Sequence, residues 1–403
     1  MRILNVTQSY EPFFEFGGPP AKVKALAEGL ARIGHEVTVL TADWGLQKRL
    51  EGVAEEAGTE GSPFGRRRKV NGVTSIYLAN WLHYRAVSWN PALGRYLRAR
   101  LMNFDVVHIF GLYDFLGPRV AKECRARTIP YVVEPIGMYV PIVRSLLLKQ
   151  IYHGLWGGEL LAGASAVIAT AEQERADLIA GGITVEKIGL RRNGVEAPPV
   201  LPEKGSFRAA MKIPDEAKLV LFLGRLSSKK SPDMLLEAFA SPRIVEAVGG
   251  RQVHLAFVGP DEGGMLGRLQ SMAGELGVWE RVHFSKALDG EAKWAAYRDA
   301  DIFVLPSQNE NFGNTAAEAV AAGTPVIITE QCGVAPLLKD VAGIVVRYDK
   351  NEIQRALQEL LRDDALYGKL QDGCPSAFQK LGWAEPLREM ETLYKKLVDS
   401  KQS

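Results

Sequence analysis

The sequence has few cysteines and no long apolar run. Its 403 residues include 3 cysteines, which lie far apart without a CxxC spacing, so neither a disulfide framework nor a thiolate metal site is indicated. The uncharged stretch Leu160–Ala171 is shorter than the roughly 18 residues of a membrane-spanning helix. The start of the chain turns polar at Thr7, so we expect no secretory leader. These absences favour a reducing cytoplasm as the location.

Neither positive nor negative residues are in large excess. The formal net charge is +2, with 24 Lys and Arg against 19 Asp and Glu in residues 1–200, and 25 against 28 in the remainder. So small a difference is not the footprint of a nucleic-acid-binding protein, and we expect no nucleic-acid partner. With 47% hydrophobic and 24% charged residues, the composition is that of an ordered globular protein with room for two domains.

The order of the apolar segments predicts an α/β protein with two doubly wound, Rossmann-like domains. Short apolar runs alternate with helix-length segments, first from Ile3 to Ala169 and again from Leu219 to Val346. The predicted strands are Ile3–Val6, Val37–Leu40, Val106–Phe110, Tyr131–Val133, Ala166–Ala169, Leu219–Leu223, Leu255–Val258, Val282–Phe284, Ile302–Leu305, Val326–Thr329 and Ile344–Val346.

A proline-rich segment separates the two patterns. We predict a first domain over residues 1–195, a linker over 196–215 and a second domain over 216–384. A final amphipathic helix over 385–403 is expected to pack back on the first domain. Two such domains are expected to face one cleft, with ligands bound beyond the carboxyl ends of the strands.

Two loops after predicted first strands carry residues suited to an anion. Gly17 and Gly18 precede a helix whose exposed N-terminus favours a phosphate, although a tight turn explains these glycines equally well. In the second domain, Arg225 and Lys230 flank a loop that leads to a helix with Ser231 as N-cap, a pairing that suits a diphosphate. A solvated loop is the alternative. Neither a G-x-G-x-x-G nor a Walker A motif occurs, which argues against a dinucleotide enzyme or a P-loop NTPase.

The segment from Leu305 to Pro325 carries the strongest signal. It reads as a strand, a loop with Phe312 and Gly313, and then a helix capped by Asn314 with Thr315 in its first turn, so its backbone amides favour an anion. Glu310 lies in the loop, and Glu318 lies in a helix that is otherwise small and apolar. Carboxylates accept hydrogen bonds from sugar hydroxyls, so both glutamates are candidates for sugar recognition.

These motifs, together with Asn193-Gly194 and the Gly323–Val326 continuation, resemble the retaining GT-B glycosyltransferases of family four, also called glycosyl transferases group 1. The resemblance spans almost the whole chain. It implies an enzyme that moves a hexose from a UDP- or GDP-sugar to a glycan or lipid-linked acceptor in polysaccharide or glycoconjugate biosynthesis. The first domain would bind the acceptor and the second the donor.

The resemblance also implies roles for individual residues. Arg225 and Lys230 would hold the diphosphate, Glu318 the ribose and Glu310 the donor sugar. The backbone at Leu288 would meet the base, and the Gly17–Gly18 loop would close on the phosphates. The sugar and phosphate would be lined by Phe312, Gly313, Asn314 and Thr315.

One position departs from the family pattern. Ile136 stands where the family commonly has a histidine, and an apolar side chain cannot hydrogen-bond to a sugar. Glu134, His108 or Tyr139 could supply polar contacts instead, but a structural role is favoured for each. We therefore assign no general base.

We expect no cofactor and a metal-independent reaction. Asp299-Ala300-Asp301 has the D-x-D spacing of a metal motif, but it precedes a strand and so is interpreted as a helix end. No H-E-x-x-H occurs among the six histidines.

For the acceptor side, the run Arg66–Lys69 and the basic, apolar segment 141–161 suit an anionic membrane, with a packed helix and a solvated loop as the alternatives. We expect a cytoplasmic protein in peripheral contact with the inner face of the membrane. Two other functions stay open: a GT-B nucleotide-sugar epimerase and a non-catalytic GT-B glycan-binding subunit.

Overall fold

The computed structural model describes residues 1–16, 18–51, 59–84, 87–140, 151–250 and 252–402. They form two compact units: unit 1 comprises Met1–Asn193 with Trp383–Ser403, and unit 2 comprises Gly194–Gly382. Each unit is built on a largely parallel sheet flanked by helices, which confirms the predicted α/β class with two doubly wound domains.

Unit 1 contains a nine-stranded sheet in the order β11-β10-β9-β8-β1-β2-β5-β4-β3. All of its neighbours are parallel except β3–β4 and β4–β5, and a separate hairpin pairs β6 with β7. The strands are β1 (Arg2–Thr7), β2 (Glu36–Ala42), β3 (Thr59–Ser62), β4 (Gly65–Val70), β5 (Val73–Leu78), β6 (Leu82–Tyr84), β7 (Val87–Trp89), β8 (Val106–Phe110), β9 (Tyr131–Glu134), β10 (Ala166–Ala169) and β11 (Ile188–Leu190).

The helices of unit 1 cover both faces of this sheet. The α-helices are Gly18–Arg32, Leu46–Leu50, Leu93–Arg100, Leu116–Ala126, Gly158–Ala162, Glu172–Ala180 and Ala384–Gln402. Short 3-10 turns span Phe14–Phe16, Leu101–Asn103 and Val185–Lys187, and a π-helical turn spans His153–Gly157.

Unit 2 contains a six-stranded, fully parallel sheet in the order β14-β13-β12-β15-β16-β17. Its strands are β12 (Lys218–Leu223), β13 (Val253–Val258), β14 (Val282–Ser285), β15 (Ile302–Leu305), β16 (Val326–Thr329) and β17 (Gly343–Val346). Its α-helices are Ser206–Met211, Pro232–Phe239, Pro242–Ala247, Met265–Glu275, Gly290–Asp299, Asn314–Ala321, Ala335–Leu338, Lys350–Arg362 and Asp364–Leu381, with 3-10 turns at Ser228–Lys230 and Trp279–Arg281.

The helix Ala384–Gln402, hereafter the terminal helix, packs on the helix Gly18–Arg32 in unit 1. A Cβ atom at Gly29 would lie 2.6 Å from Leu387 Cδ1, so the leucine side chain occupies the space that a larger residue at this position would need. Met390 and Tyr394 of the terminal helix are fully buried in the same core as Leu26. The last helix of the chain therefore completes the core of the first unit.

Candidate active site

The sheet of unit 2 has a topological switch point between β12 and β15. β12 pairs with β13 on one side and with β15 on the other, so the connections that follow β12 and β15 diverge. Crevices at such points bind ligands in open α/β sheets. The predicted segments that begin at Gly224 and Pro306 directly follow these two strands.

The first segment turns tightly into a helix. Ser231 occupies the N-cap position and Pro232 is the first helical residue, as the sequence predicted. The Ser231 hydroxyl donates to the Ser228 carbonyl (3.1 Å) rather than capping the helix, and its backbone is left-handed, with φ of 49°. This turn directs Lys230 back towards Gly224, because a Cβ at Gly224 would lie 3.4 Å from Lys230 Cδ.

Lys230 and Glu310 form an ion pair across the switch point. The Lys230 Nζ lies 2.7 Å from Glu310 Oε2, and the two side chains are 14% and 23% exposed. The structure thus brings together two predicted site residues that are 80 positions apart in the chain. Both groups keep enough exposure to exchange this bond for one to a ligand.

Arg225 and Lys229 add positive charge beside this pair. Arg225 Nη1 lies 2.9 Å from Glu262 Oε2, with the arginine side chain 61% exposed. Burial lowers the pKa of Lys229; the charge of Glu310 opposes this shift, and those of Lys230 and Arg225 add to it. The sequence analysis missed Lys229, although it adjoins Lys230. Arg225, Lys229 and Lys230 face two carboxylates, Glu262 and Glu310, and this excess of positive charge favours an anionic ligand.

The loop that carries Glu310 is fixed to a neighbouring segment by its backbone. The Glu310 N–H donates to Gln331 O (3.1 Å), and the Glu310 carbonyl accepts from Gly333 N (3.0 Å). Phe312 is buried, and its carbonyl accepts from Val334 N (2.7 Å). These bonds hold the Glu310 carboxylate in place without using its oxygens.

The helix Asn314–Ala321, hereafter the Glu318 helix, begins one residue earlier than predicted. Gly313 is its N-cap, with φ of 100°, so the prediction that Asn314 caps the helix was wrong. Glycine fits because it adopts positive φ without strain. The buried atoms Asn314 Oδ1 and Thr315 Oγ1 have no hydrogen-bond partner within the described part of the chain. The N-terminus therefore presents unused polar atoms together with its amides.

Glu318 is held by two residues that the sequence analysis did not identify. Lys293 Nζ lies 2.9 Å from Glu318 Oε1, and the Tyr297 hydroxyl donates to Oε2 at 2.8 Å. Burial and the charge of Glu318 raise the pKa of Tyr297 well above its ordinary value, so the hydroxyl remains a donor. Lys293 and Tyr297 are four residues apart on the helix Gly290–Asp299, a spacing that places both on one face.

The remaining predicted donor residues are distributed between the units. Leu288 is half-buried against the core of unit 2, just before the helix that carries Lys293. Gly18 is the first residue of a helix in unit 1, and Gly17 lies outside the described residues. The donor candidates within unit 2 therefore lie on the loops and helices that follow its strands.

The segment Asp299–Asp301 has a structural role. Asp299 accepts hydrogen bonds from Gly205 N (2.6 Å) and Phe207 N (2.8 Å), at the start of the helix Ser206–Met211. Asp301 accepts from Leu219 N (2.8 Å), and Arg208 Nη2 lies 2.8 Å from its carboxylate. This confirms that the motif is a helix end and strand start. The helix Ser206–Met211, within the predicted linker, places Phe207 in the core of unit 2.

Unit 1 encloses a cluster of charged residues at the end of β9. The Glu134 carboxylate contacts Lys22 Nζ, Arg191 Nη2 (2.6 Å) and His108 Nε2 (3.5 Å). Burial alone would raise the pKa of Glu134, but the charges of Arg191, Lys22 and His108 lower it to about 2. Burial lowers the pKa of His108 to about 3, so this ring is neutral, and its Nδ1 lies 2.6 Å from the Tyr394 hydroxyl.

Ile136 follows this cluster with a strained backbone. Its φ is 55°, which is unfavourable for a β-branched residue. The next residue, Gly137, donates its N–H to Glu174 Oε1 (2.5 Å), and Thr170 N donates to the other oxygen of that carboxylate (2.8 Å). The side chains of Glu134 and His108 are fully enclosed, so neither contacts a ligand in this arrangement.

The described ranges contain neither a cluster of metal ligands nor a membrane-spanning helix. No group of three or more His, Cys, Asp and Glu side chains placed to hold a metal was found in those ranges. No helix within them is both long and apolar enough to cross a membrane.

Two family models match consecutive parts of the chain. Residues 17–194 match the glycosyl transferase 4-like domain, and residues 203–373 match glycosyl transferases group 1. An uncharacterized glycosyltransferase of Methanocaldococcus jannaschii, MJ1607, is 26% identical over 98% of both chains. A D-inositol 3-phosphate glycosyltransferase of Catenulispora acidiphila is 29% identical over 74% of this chain and 73% of the relative.

Solved structures share the architecture. Sucrose-phosphate synthase of Thermosynechococcus elongatus superposes with a TM-score of 0.74 at 22% identity, covering 99% of each chain. HepE of Anabaena, solved in complex with UDP and glucose, superposes with a TM-score of 0.72 at 18% identity, covering 98% of this chain and 100% of that one. At such identities the likeness establishes the fold.

Proposed function

The chain belongs to the glycosyl transferases group 1 and is a glycosyltransferase with the GT-B fold, and from this premise we propose that it transfers a hexose, with retention of anomeric configuration, from a UDP- or GDP-sugar. The acceptor is a glycan or a lipid-linked sugar, and the product belongs to polysaccharide or glycoconjugate biosynthesis.

The observation that carries this proposal is the Lys230–Glu310 pair at the switch point of unit 2. A diphosphate would take Lys230 from Glu310 and Arg225 from Glu262, because phosphate oxygens accept strong charge-assisted hydrogen bonds from both cations. Glu310 would then be released towards a sugar hydroxyl. The unused polar atoms of Asn314 and Thr315, with the amides of the Glu318 helix, would complete the phosphate and sugar site.

Glu318 would bind the ribose hydroxyls on the same side of unit 2. Tyr297 and Lys293 orient its carboxylate and leave part of the side chain exposed, at 19%. Leu288 would offer its backbone to the base, as the family resemblance implies. Because backbone atoms would contact the base, the side chains of this site do not indicate whether the nucleotide is UDP or GDP.

The transfer breaks the bond between the anomeric carbon and the donor phosphate oxygen, and it forms a bond from the acceptor oxygen to the same face of that carbon. The acceptor proton passes to the departing phosphate, so no protein base is required. Lys230 and Arg225 stabilise the charge that develops on the leaving group. We propose that these side chains replace a metal ion in that role.

UDP is the first nucleotide to test, because HepE was solved with UDP and with UDP-glucose. Thermal-shift measurements with UDP, GDP and ADP would identify the base, since a ligand that binds the folded state raises its melting temperature. A radiolabelled sugar of the selected nucleotide, supplied with lipid extracts as acceptor, then measures transfer.

Three variants test the site in that assay. Glu310→Ala and Lys230→Ala should abolish transfer and remain folded. Lys350→Ala is the matched control, because Lys350 forms an exposed ion pair with Glu237 (3.1 Å) in the same unit. Full activity of both site variants would refute the site, and epimerised free nucleotide sugar would refute transfer.

We also propose peripheral contact between unit 1 and an anionic membrane. The run Arg66–Lys69 lies in strand β4, where Arg68 is buried and contacts Glu11, and Arg67 contacts Glu60 (3.9 Å). The exposed Trp81 and Trp89 beside the β6–β7 hairpin are the stronger candidates for contact. Co-sedimentation with anionic vesicles and its absence with neutral ones would support this, and equal recovery with both would oppose it.

A further inference from the structure

Unit 1 contains a cavity of about 630 Å³. It lies between Trp89 of strand β7, the helix Leu116–Ala126 and the segment Leu155–Leu160. Its volume is in the range of small-molecule sites. We call it the aromatic cavity, after the three large rings at its edge: Trp89, Phe115 and Trp156.

The three rings form walls and not a flat platform. The rings of Trp89 and Phe115 are 6.2 Å apart at 73°, and those of Phe115 and Trp156 are 5.7 Å apart at 89°. Their residues remain 58%, 38% and 41% exposed, respectively. Adjacent large apolar side chains left in water indicate a binding surface. Because the Phe115 ring is steeply inclined to both indole rings, the three rings enclose a chain better than they stack on a sugar face.

The interior of the cavity is aliphatic, and its neutral polar groups are already bonded. Leu93, Leu116 and Leu160 line it and are buried. The Ser88 hydroxyl donates to Asn90 Oδ1 (2.8 Å), and Asn90 Nδ2 donates to Leu78 O (3.1 Å). A ligand rich in hydroxyl groups would find few partners here, whereas a hydrocarbon chain would lose water-exposed surface.

Three cations line one side of this apolar interior. Arg119, Lys122 and Arg125 line the cavity from one helix, against a single carboxylate, Glu159. Arg125 Nη2 lies 3.1 Å from Glu159, and Arg119 Nη2 lies 3.5 Å from Glu123. Lys122 has no ion-pair partner in the described ranges of the chain. The surplus of positive charge fits an anion attached to the chain.

We propose that the aromatic cavity binds a lipid phosphate, with the first apolar segment of the lipid between Trp89, Phe115 and Trp156 and the phosphate against Lys122 and Arg119. The inference rests on the proposed function, because it identifies the acceptor as a sugar carried on a lipid phosphate. It adds a site for the carrier that is separate from the donor residues of unit 2.

Calorimetric titration of the full chain with farnesyl phosphate, below its critical micelle concentration, tests the site. Farnesol and inorganic phosphate test the two halves of the ligand, and maltose tests a glycan. We expect saturable binding of farnesyl phosphate, weaker binding of farnesol, and none of phosphate or maltose. Trp156→Ala should weaken binding about tenfold, because it removes apolar contact area.

Two further variants separate the aromatic and the charged parts. Trp279→Ala in unit 2 is the matched control, since Trp279 is 48% exposed and distant in sequence from the cavity; it should bind normally. Lys122→Ala should lower the affinity for farnesyl phosphate about fivefold, as for a partly exposed ion pair, and leave that for farnesol unchanged. Lys122→Arg should restore most of the loss.

Several results would overturn the proposal. These are equal affinity for farnesol and farnesyl phosphate, tighter binding of maltose, or unchanged binding by Trp156→Ala. The UDP thermal shift is read in parallel and depends on unit 2. If farnesyl phosphate binds but no nucleotide raises the melting temperature, the proposed function is contradicted and the lipid site is retained. If a nucleotide raises the melting temperature but farnesyl phosphate does not bind, only the lipid site is refuted.

Discussion

Each unit holds a lysine–glutamate pair at the carboxyl edge of its sheet, and the two pairs differ in what surrounds them. In unit 1, Lys22 and Glu134 are 3% and 0% exposed, and Arg191 and His108 complete the contacts of the carboxylate. In unit 2, Lys230 and Glu310 are 14% and 23% exposed, and unused polar atoms lie at the nearby helix N-terminus.

The comparison separates a structural ion pair from one that suits a ligand. Burial of a charge is costly unless other charges and hydrogen bonds compensate for it. The cluster of unit 1 compensates the charge of Glu134 within the protein, as the pKa of about 2 for that carboxyl indicates, and two buried nitrogens of Arg191, Nε and Nη1, have no hydrogen-bond partner in the described ranges. The pair of unit 2 retains access to solvent, so a charged ligand can replace either partner.

Removal of Glu134 should have the largest effect on stability. Glu134→Ala leaves Lys22 and Arg191 buried without their counter-charge, and we expect a loss of about 3–5 kcal/mol. Hydrogen exchange measured by mass spectrometry should show faster exchange in β8, β9 and the terminal helix. Strands β12 and β15 of unit 2 should keep their protection.

A surface pair in the same unit provides the control. Glu385 contacts Arg192 and its side chain is 53% exposed, so Glu385→Ala should leave exchange in β9 almost unchanged. If Glu134→Ala behaved like Glu385→Ala, the buried cluster would not be a structural element.

The corresponding change in unit 2 should act on catalysis instead. Glu310→Gln should reduce kcat/KM at least about 100-fold, because an electrostatic contact to the reacting sugar is lost. The melting temperature should change little. A large fall in melting temperature with unchanged kcat/KM would show that the two pairs have the same structural role.

Acid should distinguish the units by the pH range over which each loses stability. Burial lowers the pKa of His108 to about 3, so the unfolded chain binds more protons than the folded one between about pH 6.5 and 3, and stability falls as pH falls. Glu134 extends this loss towards pH 2. In unit 2, burial lowers the pKa of His254 to about 4. The loss of stability caused by this histidine therefore ends near pH 4, at a higher pH than in unit 1.

Hydrogen exchange between pH 7 and 3 would measure this difference. Peptides from β8 and β9 should continue to lose protection below pH 4, after the effect of His254 on unit 2 is complete. Equal losses of protection in both units down to pH 3 would contradict this assignment of the pH ranges.

The smallest effect is expected at Tyr297. Tyr297→Phe removes one hydrogen bond to Glu318 and keeps the buried ring, so the Kd for the nucleotide should rise about three- to fivefold, with little change in kcat. Tyr367→Phe is the control, because the Tyr367 hydroxyl accepts a bond from Gln371 within one helix of the same unit. Calorimetry with the nucleotide selected by thermal shift would measure both. Equal affinities of Tyr297→Phe and the unaltered protein would show that Lys293 alone orients Glu318.

The central strands could be predicted because they are buried on both faces. β13 is buried at every position, and its last four residues, Leu255–Val258, form the unbroken apolar run that was predicted as a strand. The neighbouring strands β3, β4 and β5 were missed. Gly65–Val70 consists mainly of cations, and the apolar residues of Val73–Leu78 are interrupted by Thr74 and Ser75. An edge strand of this kind carries little hydrophobic signal.

The elements that carry the candidate site were predictable, but the contacts between its residues were not. Lys230 and Glu310 were expected at the same edge of the sheet, since each follows a strand and the carboxyl ends of parallel strands lie at one edge. Their 2.7 Å contact depends on the left-handed turn at Ser231 and on the backbone bonds of Glu310, which no local pattern encodes. Lys293 and Tyr297 were detectable only as an i,i+4 pair on a helix that also carries the charged residues Glu291, Arg298 and Asp299.

The terminal helix has a consequence for the order in which the protein is made. Unit 2 is continuous in the chain, whereas unit 1 needs Trp383–Ser403 to complete its core. During synthesis on the ribosome, His108 therefore lacks its Tyr394 partner until every residue of unit 2 has been translated. The unit that begins first is completed last, and the face around Gly29 that the terminal helix covers stays uncovered in that interval.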